Sequence, residues 1–476
     1  MDPQTLIANA YLGTLAVLAL YGLHRLSMIL RFRWEPSREA DPVAPDHELP
    51  LVTLQLPLYN ERTVAARVIR AAGALDYPPE RLEIQVLDDS TDETRGIVDR
   101  EVAALRERGL DAKVVRRPDR HGYKAGALDF GQRTARGELI AIFDADFTPR
   151  PDFLRSMVGR FADPCVGMVQ ARWEHENRDE SVLTRAQSIL LDGHFVIEHK
   201  VRHDHGLYFN FNGTAGVWRR AAITDAGGWQ HDTLTEDLDL SYRAQLAGWR
   251  FVYEPLVLAP AEVPPDIAAF KSQQHRWAKG SVQVGRKLLG RILRAKVPLR
   301  VKFEALAHLT GNAGYPLVLA LAILLPLSIS EHARFGGWGH ILFFLFCTFS
   351  VVLFYETSQR AIGRTGWQRL RDVPAGISLG IGMCVSQTRA VLEGFFRETG
   401  AFVRTPKRGD APAARRYTAR LKGLPGIEIL LALWFAWACW SAVEQGLWGT
   451  LPFLLLFFSS FAWVGGLSLS AWARAR

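Results

Sequence analysis

Five apolar segments long enough to cross a bilayer divide the chain into helical flanks and a mixed central region. About 20 apolar residues span the hydrocarbon core as a helix. The segments are Leu6–Leu23, Ala313–Ile329, Ile341–Tyr355, Ile427–Val443 and Leu451–Leu469. The first has no positive charge before it and is followed by His24 and Arg25, which is typical of an uncleaved anchor rather than a signal peptide.

Basic residues indicate how these segments are oriented. They gather in the connections that five spans would place inside if the N-terminus lies outside. We therefore expect an integral protein of a bacterial inner or plasma membrane, with five transmembrane helices and a cytoplasmic central region.

Two further stretches are expected to lie at the membrane surface. Ile377–Phe396 is apolar overall, but it contains Gln387, Arg389 and Glu393, which are costly at mid-bilayer. An amphipathic helix in the interface fits this pattern better than a sixth span. The basic, amphipathic stretch 261–305 is predicted to behave in the same way.

In the central region, residues 51–260, short apolar runs alternate with helical patterns. The predicted strands are Leu51–Leu56, Leu82–Leu87, Ala112–Arg116 and Leu139–Phe143, with helices at about 63–75 and 124–135 among the intervening elements. Such alternation predicts an α/β domain with a mostly parallel sheet and crossover helices. The fold class is therefore α/β plus membrane α-helical, with the α/β domain inserted between transmembrane helices.

Acidic side chains end two of these strands. Asp88 and Asp89 follow the second strand, and Asp144 and Asp146 follow the Leu139–Phe143 strand. Parallel sheets bind ligands at the carboxyl ends of their strands. Two carboxylates one residue apart suit Mg²⁺, which usually takes its remaining ligands from substrate phosphates. The alternative is a strand end with two solvated acids.

Composition limits the other classes of function. The net charge of +8 could indicate nucleic acid, but the hydrophobic content of 48% and the 14 Trp favour a membrane protein. The four cysteines are scattered without a CxxC pair, which argues against a zinc or disulfide framework. Neither the dinucleotide-binding nor the P-loop glycine motif occurs where it would be needed.

Further polar motifs have both functional and structural explanations. Lys124 follows a glycine at a helix start and could reach a phosphate, or it could be a solvated loop lysine. In Thr235-Glu236-Asp237, the threonine is expected to cap a helix whose first turn is acidic, and Asp237 would be free to face a cleft. Gln273, Arg276 and Trp277 share roughly one helix face and suit a pyrophosphate and a sugar, or a helix lying on the membrane.

Together these residues resemble the membrane-embedded glycosyltransferases of family 2. The resemblance rests on the acid ending an early strand, the Asp-x-Asp, the Thr-Glu-Asp and the Gln-x-x-Arg-Trp, in the family's order. The stretches 85–92, 122–126, 141–147 and 211–218 are closer still to the cellulose synthase-like A mannan synthases and are also similar to their glucan-synthase relatives. Phe402-x-x-Thr405-x-Lys407 is similar to the gating loop of bacterial cellulose synthase, with Arg404 departing from it.

The resemblance implies a GT-A type domain, Mg²⁺ or Mn²⁺, and roles for individual residues. Asp144 and Asp146 would hold the metal, and Asp237 would be the general base. Substrate contacts would come from Asp88, Asp89, Lys124, Asn212, Gly213, Thr214, Glu236, Gln273, Arg276, Trp277, Phe402, Thr405 and Lys407. The partners would be a nucleotide sugar, a growing polysaccharide or lipid acceptor, and membrane lipids, with no nucleic acid.

The preferred hypothesis is an inverting, processive transferase that polymerises hexose from GDP-mannose or UDP-glucose into a β-1,4-linked mannan, glucomannan or glucan and translocates it. The alternatives are transfer of one sugar to a lipid, retaining hydrolysis by two carboxylates, and a transporter or scaffold with a degenerate domain. The expected divisions are an anchor at 1–34, a linker at 35–50, the transferase domain at 51–260, interface helices at 261–305, two spans at 306–360, an interface helix with a gating-like loop at 361–425, and two spans at 426–476.

Overall fold

The computed structural model describes residues 3–34, 45–332, 338–396 and 426–474. Its strands are β1 Val52–Leu58, β2 Leu82–Asp88, β3 Asp111–Val115, β4 Leu139–Ile142, β5 Val166–His175, β6 Gly216–Arg219 and β7 Arg250–Ala261. The helices up to β7 are α1 Pro3–Arg31, α2 Ala65–Ala72, α3 Thr94–Glu107, α4 Tyr123–Gln132, α5 Phe153–Val158, α6 Val182–Asp192, α7 Lys200–Asp204, α8 Arg220–Asp225 and α9 Glu236–Leu246. The later helices are α10 Ile267–Arg294, α11 Leu299–Thr310, α12 Gly314–His332, α13 Trp338–Ala361, α14 Gly366–Gly382, α15 Cys384–Phe396, α16 Gly426–Glu444 and α17 Leu451–Arg474.

The described strands form one seven-stranded sheet in the order β3-β2-β1-β4-β6-β5-β7. β1 pairs in parallel with β2 and β4, and β2 pairs in parallel with β3, through the crossover helices that the alternating pattern predicts. β6 runs antiparallel to both of its neighbours, whereas β5 and β7 are parallel to each other. The carboxyl ends of β1, β2 and β4 therefore meet at one edge of the sheet.

Two apolar cores enclose this sheet, one on each face. Because β1 and β4 are buried on both faces, their residues are continuously apolar or internally hydrogen-bonded rather than alternating. Thr53 and Gln55 are the polar exceptions in β1, and each bonds a side chain of β2: Glu83 at 2.5 Å and Gln85 at 3.0 Å. The sheet is thus a rigid base for the groups at its edge.

A separate helical layer contains the membrane-length segments. Among the described residues, four stretches are long and apolar enough to cross a membrane: Thr5–Arg31, Leu299–Ser328, Gly426–Glu444 and Trp448–Arg474. The fifth predicted span, Ile341–Tyr355, lies within α13 and is not one of the four. In this layer α1 packs on α12 and α13, and α16 packs on α17.

Some predicted elements have different bounds in the structure. The stretch predicted as one interfacial helix, Ile377–Phe396, is shared between α14 and α15, which are separated at Met383. Thr235 does occupy the N-terminal cap position of α9, but its side chain makes no capping hydrogen bond. Strands β5, β6 and β7 are additions to the strands predicted from the sequence.

Candidate active site

One pocket at the carboxyl edge of the sheet gathers most of the predicted site residues. Loops after β1, β2 and β4, the start of α9 and the first half of α10 form its walls. The predicted residues that line it are Asp89, Lys124, Asp144, Asp146, Asn212, Gly213, Glu236, Asp237, Gln273, Arg276 and Trp277. Stretches far apart along the chain therefore converge on one cavity.

Lys124 is the centre of a polar cluster in this pocket. It lies in the first turn of α4, after Gly122, whose φ of 69° suits a residue without a side chain. Its Nζ donates to Asp144 Oδ1 at 2.5 Å and to the Gly213 carbonyl at 2.9 Å. Burial alone would lower the pKa of Lys124, but the nearby carboxylates, led by Asp144, raise it. The ammonium therefore stays charged inside the pocket.

Two carboxyl groups at the start of α9 face the same cluster. Burial, followed by repulsion from Glu236, raises the pKa of Asp237 to about 7. Burial likewise raises the pKa of Glu236, although Lys124 opposes the rise. An acid with a pKa of about 7, such as Asp237, can take up and release a proton near neutral pH, which is the property required of a general base.

Helix α10 brings a cation and an aromatic ring to the pocket. It begins at the cap residue Asp266, whose side chain accepts the backbone N–H of Ala269 at 2.8 Å. Burial lowers the pKa of Arg276 to about 10, so its guanidinium remains charged at neutral pH. The ring of Trp277 lies 6.4 Å, centroid to centroid, from that of Trp173. The pocket thus offers both a positive group and a flat apolar surface.

The two acids after β2 differ in position. Asp89 lines the pocket, and Arg117 holds its carboxylate through two bonds of 2.8 and 2.6 Å. Asp88 is buried and does not line the pocket; it accepts from Arg116 at 2.9 Å and from the Ser90 backbone at 3.0 Å. Asp88 therefore fits a supporting position behind Asp89 better than direct contact with the substrate.

Other predicted residues also lie outside the pocket lining. The hydroxyl of Thr214 is buried and accepts the backbone N–H of Asp144 at 2.9 Å, so it supports the acid loop. Phe402, Thr405 and Lys407 lie outside the described residues.

Several residues of the lining were not predicted from the sequence. They are Tyr59, Glu61, Arg120, Trp173, His175 and Glu262. The guanidinium of Arg120 lies 3.4 Å from the centre of the Tyr59 ring. Trp173 and His175 belong to the end of β5, and Glu262 follows β7. Had β5 and β7 been recognised as parallel strands, their ends would have been expected at one edge.

The acid pair fits a divalent cation that shares its ligands with a substrate. Among the described residues, no group of three or more His, Cys, Asp or Glu side chains could hold a metal by itself. Asp144 and Asp146 supply two carboxylates to a pocket lining that also contains a lysine and an arginine. Mg²⁺-type sites of this kind take their other ligands from phosphate and water.

Comparison with known proteins places this geometry in context. Residues 50–280 match the family model described as "Glycosyltransferase like family 2". Glucomannan 4-beta-mannosyltransferase 2 of Arabidopsis thaliana is 35% identical over 448 residues, covering 90% of this chain and 80% of the relative. Glucomannan 4-beta-mannosyltransferase 1 of rice is 37% identical over 369 residues and 70% of each chain.

A solved structure has the same fold. The Pyrobaculum calidifontis mannosyltransferase PcManGT, in complex with GDP-Man and Mn²⁺, superposes with a TM-score of 0.52. The match covers 83% of this chain and 98% of the other at 23% identity, which establishes likeness of fold alone.

These matches define the class of protein as a membrane glycosyltransferase with a GT-A-like domain, which confirms the expected fold class. Within that class, the chain belongs to glycosyltransferase family 2, among the relatives named glucomannan 4-beta-mannosyltransferases.

Proposed function

We propose that this chain is an inverting β-mannosyltransferase that extends a β-1,4-linked polysaccharide from GDP-mannose and passes the product across the membrane. The observation that carries the proposal is the single pocket in which Asp144, Lys124, Asp237 and Arg276 meet. The names of the relatives favour mannose over glucose as the sugar, because they are glucomannan 4-beta-mannosyltransferases of which this chain covers 70–80%. The solved structure of PcManGT, which shares the fold, is a complex with GDP-Man and Mn²⁺.

The donor diphosphate would lie between two positive groups. Lys124 on α4 and Arg276 on α10 line the same pocket as the acid pair, and a phosphate between them would pair with both. A divalent cation held by Asp144 and Asp146 would neutralise charge on the leaving diphosphate as a Lewis acid. Asp89, held by Arg117, and Tyr59 with Arg120 would contact the nucleoside end of the donor.

Asp237 would take the proton from the acceptor. Its carboxylate removes the proton of the acceptor 4-hydroxyl while that oxygen bonds the anomeric carbon, and the bond from that carbon to the diphosphate breaks on the opposite face. One displacement of this kind inverts the anomeric carbon. Gln273 and Glu236 would orient the two sugars, and Trp277 would stack against the acceptor ring, since aromatic faces suit sugar rings.

The helical layer would carry the product away from the pocket. In this proposal α1, α12, α13, α16 and α17 are the five spans, the N-terminus is outside, and the transferase domain of residues 51–260 is cytoplasmic. α10, α14 and α15 lie at the interface. The short connection between α16 and α17, residues 445–450, contains no Lys or Arg, which fits the outer side.

Donor choice and product size test the proposal. The purified chain in nanodiscs is incubated with Mn²⁺ or Mg²⁺ and with GDP-mannose, UDP-glucose or UDP-N-acetylglucosamine, and released nucleoside diphosphate is measured. We expect GDP release that EDTA abolishes, and a long product that an endo-β-1,4-mannanase degrades. Asp239→Asn and Asp237→Asn serve as a matched pair of acid substitutions, argued below.

Other outcomes would replace the proposal. A single labelled glycolipid in place of a ladder of chain lengths would favour transfer to a lipid. UDP release from UDP-glucose with a cellulase-sensitive product would favour a glucan synthase. Release of no nucleotide from any donor by folded protein would remove the transferase reading altogether.

A further inference from the structure

The pocket loop, residues Asn212–Thr214, touches three groups to which the proposed mechanism gives a role. Its glycine carbonyl accepts from Lys124 Nζ at 2.9 Å. Its threonine hydroxyl accepts the backbone N–H of Asp144 at 2.9 Å. A Cβ built on its glycine would lie 3.0 Å from the carboxylate of Asp237. A shift of this loop would therefore displace the lysine, the metal-binding strand end and the base together.

Two histidines hold the first residue of this loop. The Asn212 side-chain nitrogen, Nδ2, donates to His194 Nε2 at 2.9 Å. Its oxygen, Oδ1, accepts from His199 Nε2 at 2.7 Å. The Nδ2 end of the carboxamide needs a ring nitrogen of His194 that accepts, and the Oδ1 end needs a ring nitrogen of His199 that donates. The amide can therefore adopt only one orientation if the tautomers of both rings are fixed.

Glu198 fixes the tautomer of His194. Its Oε2 lies 3.0 Å from His194 Nδ1. Burial would raise the pKa of Glu198, but Arg202 and His194 hold it well below its ordinary range, so the group is a carboxylate and can only accept. The ring must then donate through Nδ1, which leaves Nε2 as the acceptor that Asn212 needs.

A π-helix brings the two histidines together. Residues Gly193–His199 form one π-helical turn between α6 and α7. Because π-helical bonding joins residues five apart, His194 and His199 lie on the same side of the turn, with ring centroids 4.3 Å apart. π-Turns are frequent at functional sites. An α-helix would direct these two rings to different sides.

The same network continues to the membrane helices. Glu198 Oε2 lies 3.3 Å from Arg202 Nη1, and Arg202 Nε donates to Glu304 Oε1 of α11 at 2.9 Å. The second oxygen of Glu304 lies 3.0 Å from His24 Nε2 in α1. Arg202 and Glu304 are both almost fully buried. An unbroken series of polar contacts thus connects the pocket loop to the first membrane-length helix.

We propose that His194 and Glu198 are positioning residues that act through Asn212 to hold the pocket loop, and that this network anchors the loop to α1 and α11. The proposal rests on the proposed function, because it concerns how the base and the phosphate-binding groups are placed. It also reassigns Asn212: its carboxamide anchors the loop instead of recognising a sugar.

A pair of substitutions at one position tests the contact with Asn212. The glutamine of His194→Gln places an acceptor oxygen near the position of Nε2, whereas the asparagine of His194→Asn places a donor near that of Nδ1 and leaves Asn212 unmet. We expect His194→Gln to keep kcat within about threefold and His194→Asn to lower kcat by up to about 100-fold, the scale of a 1 Å misplacement. The KM for the donor should change less than kcat. Equal loss in the two variants would overturn the proposal.

Glu198, which fixes the tautomer of His194, is the position of a second variant in case His194→Asn does not fold. The side-chain amide of Glu198→Gln can donate to the ring and so reverse the tautomer, which would set a His194 Nε2–H against the Nδ2–H groups of Asn212. We expect a loss of kcat similar to that of His194→Asn, with a melting temperature that shows folded protein. His205→Ala is the control, because its ring bonds a carbonyl of its own helix. Full activity of folded Glu198→Gln contradicts the proposal.

A double-mutant cycle separates anchoring from sugar recognition. If Asn212 acts only through its contact with His194, the double variant Asn212→Ala/His194→Asn should be no less active than the worse single variant. Multiplying losses would mean that Asn212 contacts the substrate directly, and the proposal would fail. Wild-type turnover is measured first; its absence would reject the proposed function, whereas multiplying losses in an active enzyme would reject this inference alone.

Discussion

The carboxyl of Asp237 lies where its protonated form is favoured, and this sets the pH dependence of the enzyme. Burial and Glu236 raise its pKa to about 7. A general base works only when deprotonated, so kcat/KM should rise with pH through about 7 and then level off. The measurement is initial GDP release at saturating metal from about pH 5.5 to 8.5. A flat profile over that range would show that Asp237 is not the base.

Two aspartates, separated by one residue in α9, should respond oppositely to loss of charge. The folded chain binds the proton of Asp237 more tightly than the unfolded chain does, so between pH 3.8 and about 7 this group's contribution to stability falls as pH rises. At pH 8 the buried carboxylate of Asp237 is charged, and this charge lowers the free energy of unfolding. Asp237→Asn should therefore keep or raise the melting temperature while lowering kcat by about 10²–10⁴.

Asp239 is the matched control for that substitution. It is fully buried and pairs with Arg243 at 2.7 Å and with Lys287 at 3.0 Å. Removing one partner of a buried ion pair costs about 3–5 kcal/mol, so Asp239→Asn should lower the free energy of unfolding by that order. Thermal melting of both variants in the same detergent checks this. A similar loss in the two would contradict the distinction.

Among single residues, those proposed to act on the substrate could be predicted from the sequence more readily than those that hold them in place. Asp144, Asp237 and Arg276 stand out because each belongs to a short polar motif, the Asp-x-Asp, the Thr-Glu-Asp and the Gln-x-x-Arg-Trp. Their partners do not stand out: Arg117 beside Asp89 is one of many arginines in the chain. Partners of that kind are assigned only by the fold, because any of several cations lies close enough in sequence to serve.

Between elements, the packing of α10 against the start of α9 sets the width of the pocket. A Cβ added at Gly280 would lie 2.9 Å from the Thr235 backbone nitrogen and closer still to its side chain. Backbone cannot give way locally, so Gly280→Ala should push Gln273, Arg276 and Trp277 away from Asp237. We expect a loss of kcat/KM of about tenfold or more, since small misplacements are costly in an active site.

Gly290 provides the matched control on the same helix. It is exposed, and no atom lies within 4 Å of a Cβ built there. Gly290→Ala should leave activity unchanged and raise stability by up to about 1 kcal/mol, the helix-propensity gain of alanine. Activity assays and melting curves of the two variants form the comparison. Equal activity of both variants would remove the packing argument.

β1 to β4 could be predicted from the sequence, whereas β5, β6 and β7 could not. β1, β2 and β4 are apolar runs ending in polar residues, and their positions agree with the prediction within a few residues. β7 contains Pro255 and Pro260, which argue against a strand in sequence terms. The fold explains both prolines, because β7 is an edge strand, where a missing backbone N–H is tolerated.

At the scale of the whole molecule, polar contacts among the described residues join the pocket to the helical layer in at least three places. The first is the network from Asn212 to His24 described above. The second joins β5 to α13: Asp192, which lies 3.4 Å from His175 of the pocket, accepts from Gln359 at 2.8 Å. The third is an ion pair between α10 and α16. The transferase domain and the helical layer are therefore joined by specific buried contacts and not by the chain connections alone.

The ion pair between α10 and α16 gives the prediction that tests this coupling. Lys271 Nζ donates to Glu428 Oε1 at 2.6 Å, and both residues are buried. Lys271 lies two residues before Gln273 on the pocket helix, and Glu428 lies near the start of α16. Breaking the pair from one side leaves an unpaired buried charge, so Lys271→Met alone should cost about 3–5 kcal/mol of stability.

Removing both charges distinguishes electrostatic from mechanical coupling. Replacing a buried pair by apolar groups of similar size is often neutral or stabilising, so Lys271→Met/Glu428→Leu should recover the melting temperature lost by Lys271→Met. If the pair also fixes the position of α10 against the membrane helices, kcat for polymer elongation should stay reduced in the stable double variant. The measurements are melting temperature and product length for both variants beside the wild type. Recovery of stability together with full-length product would show that the pair holds the helices together without guiding the pocket, because apolar packing alone would then position Arg276 and Trp277 equally well.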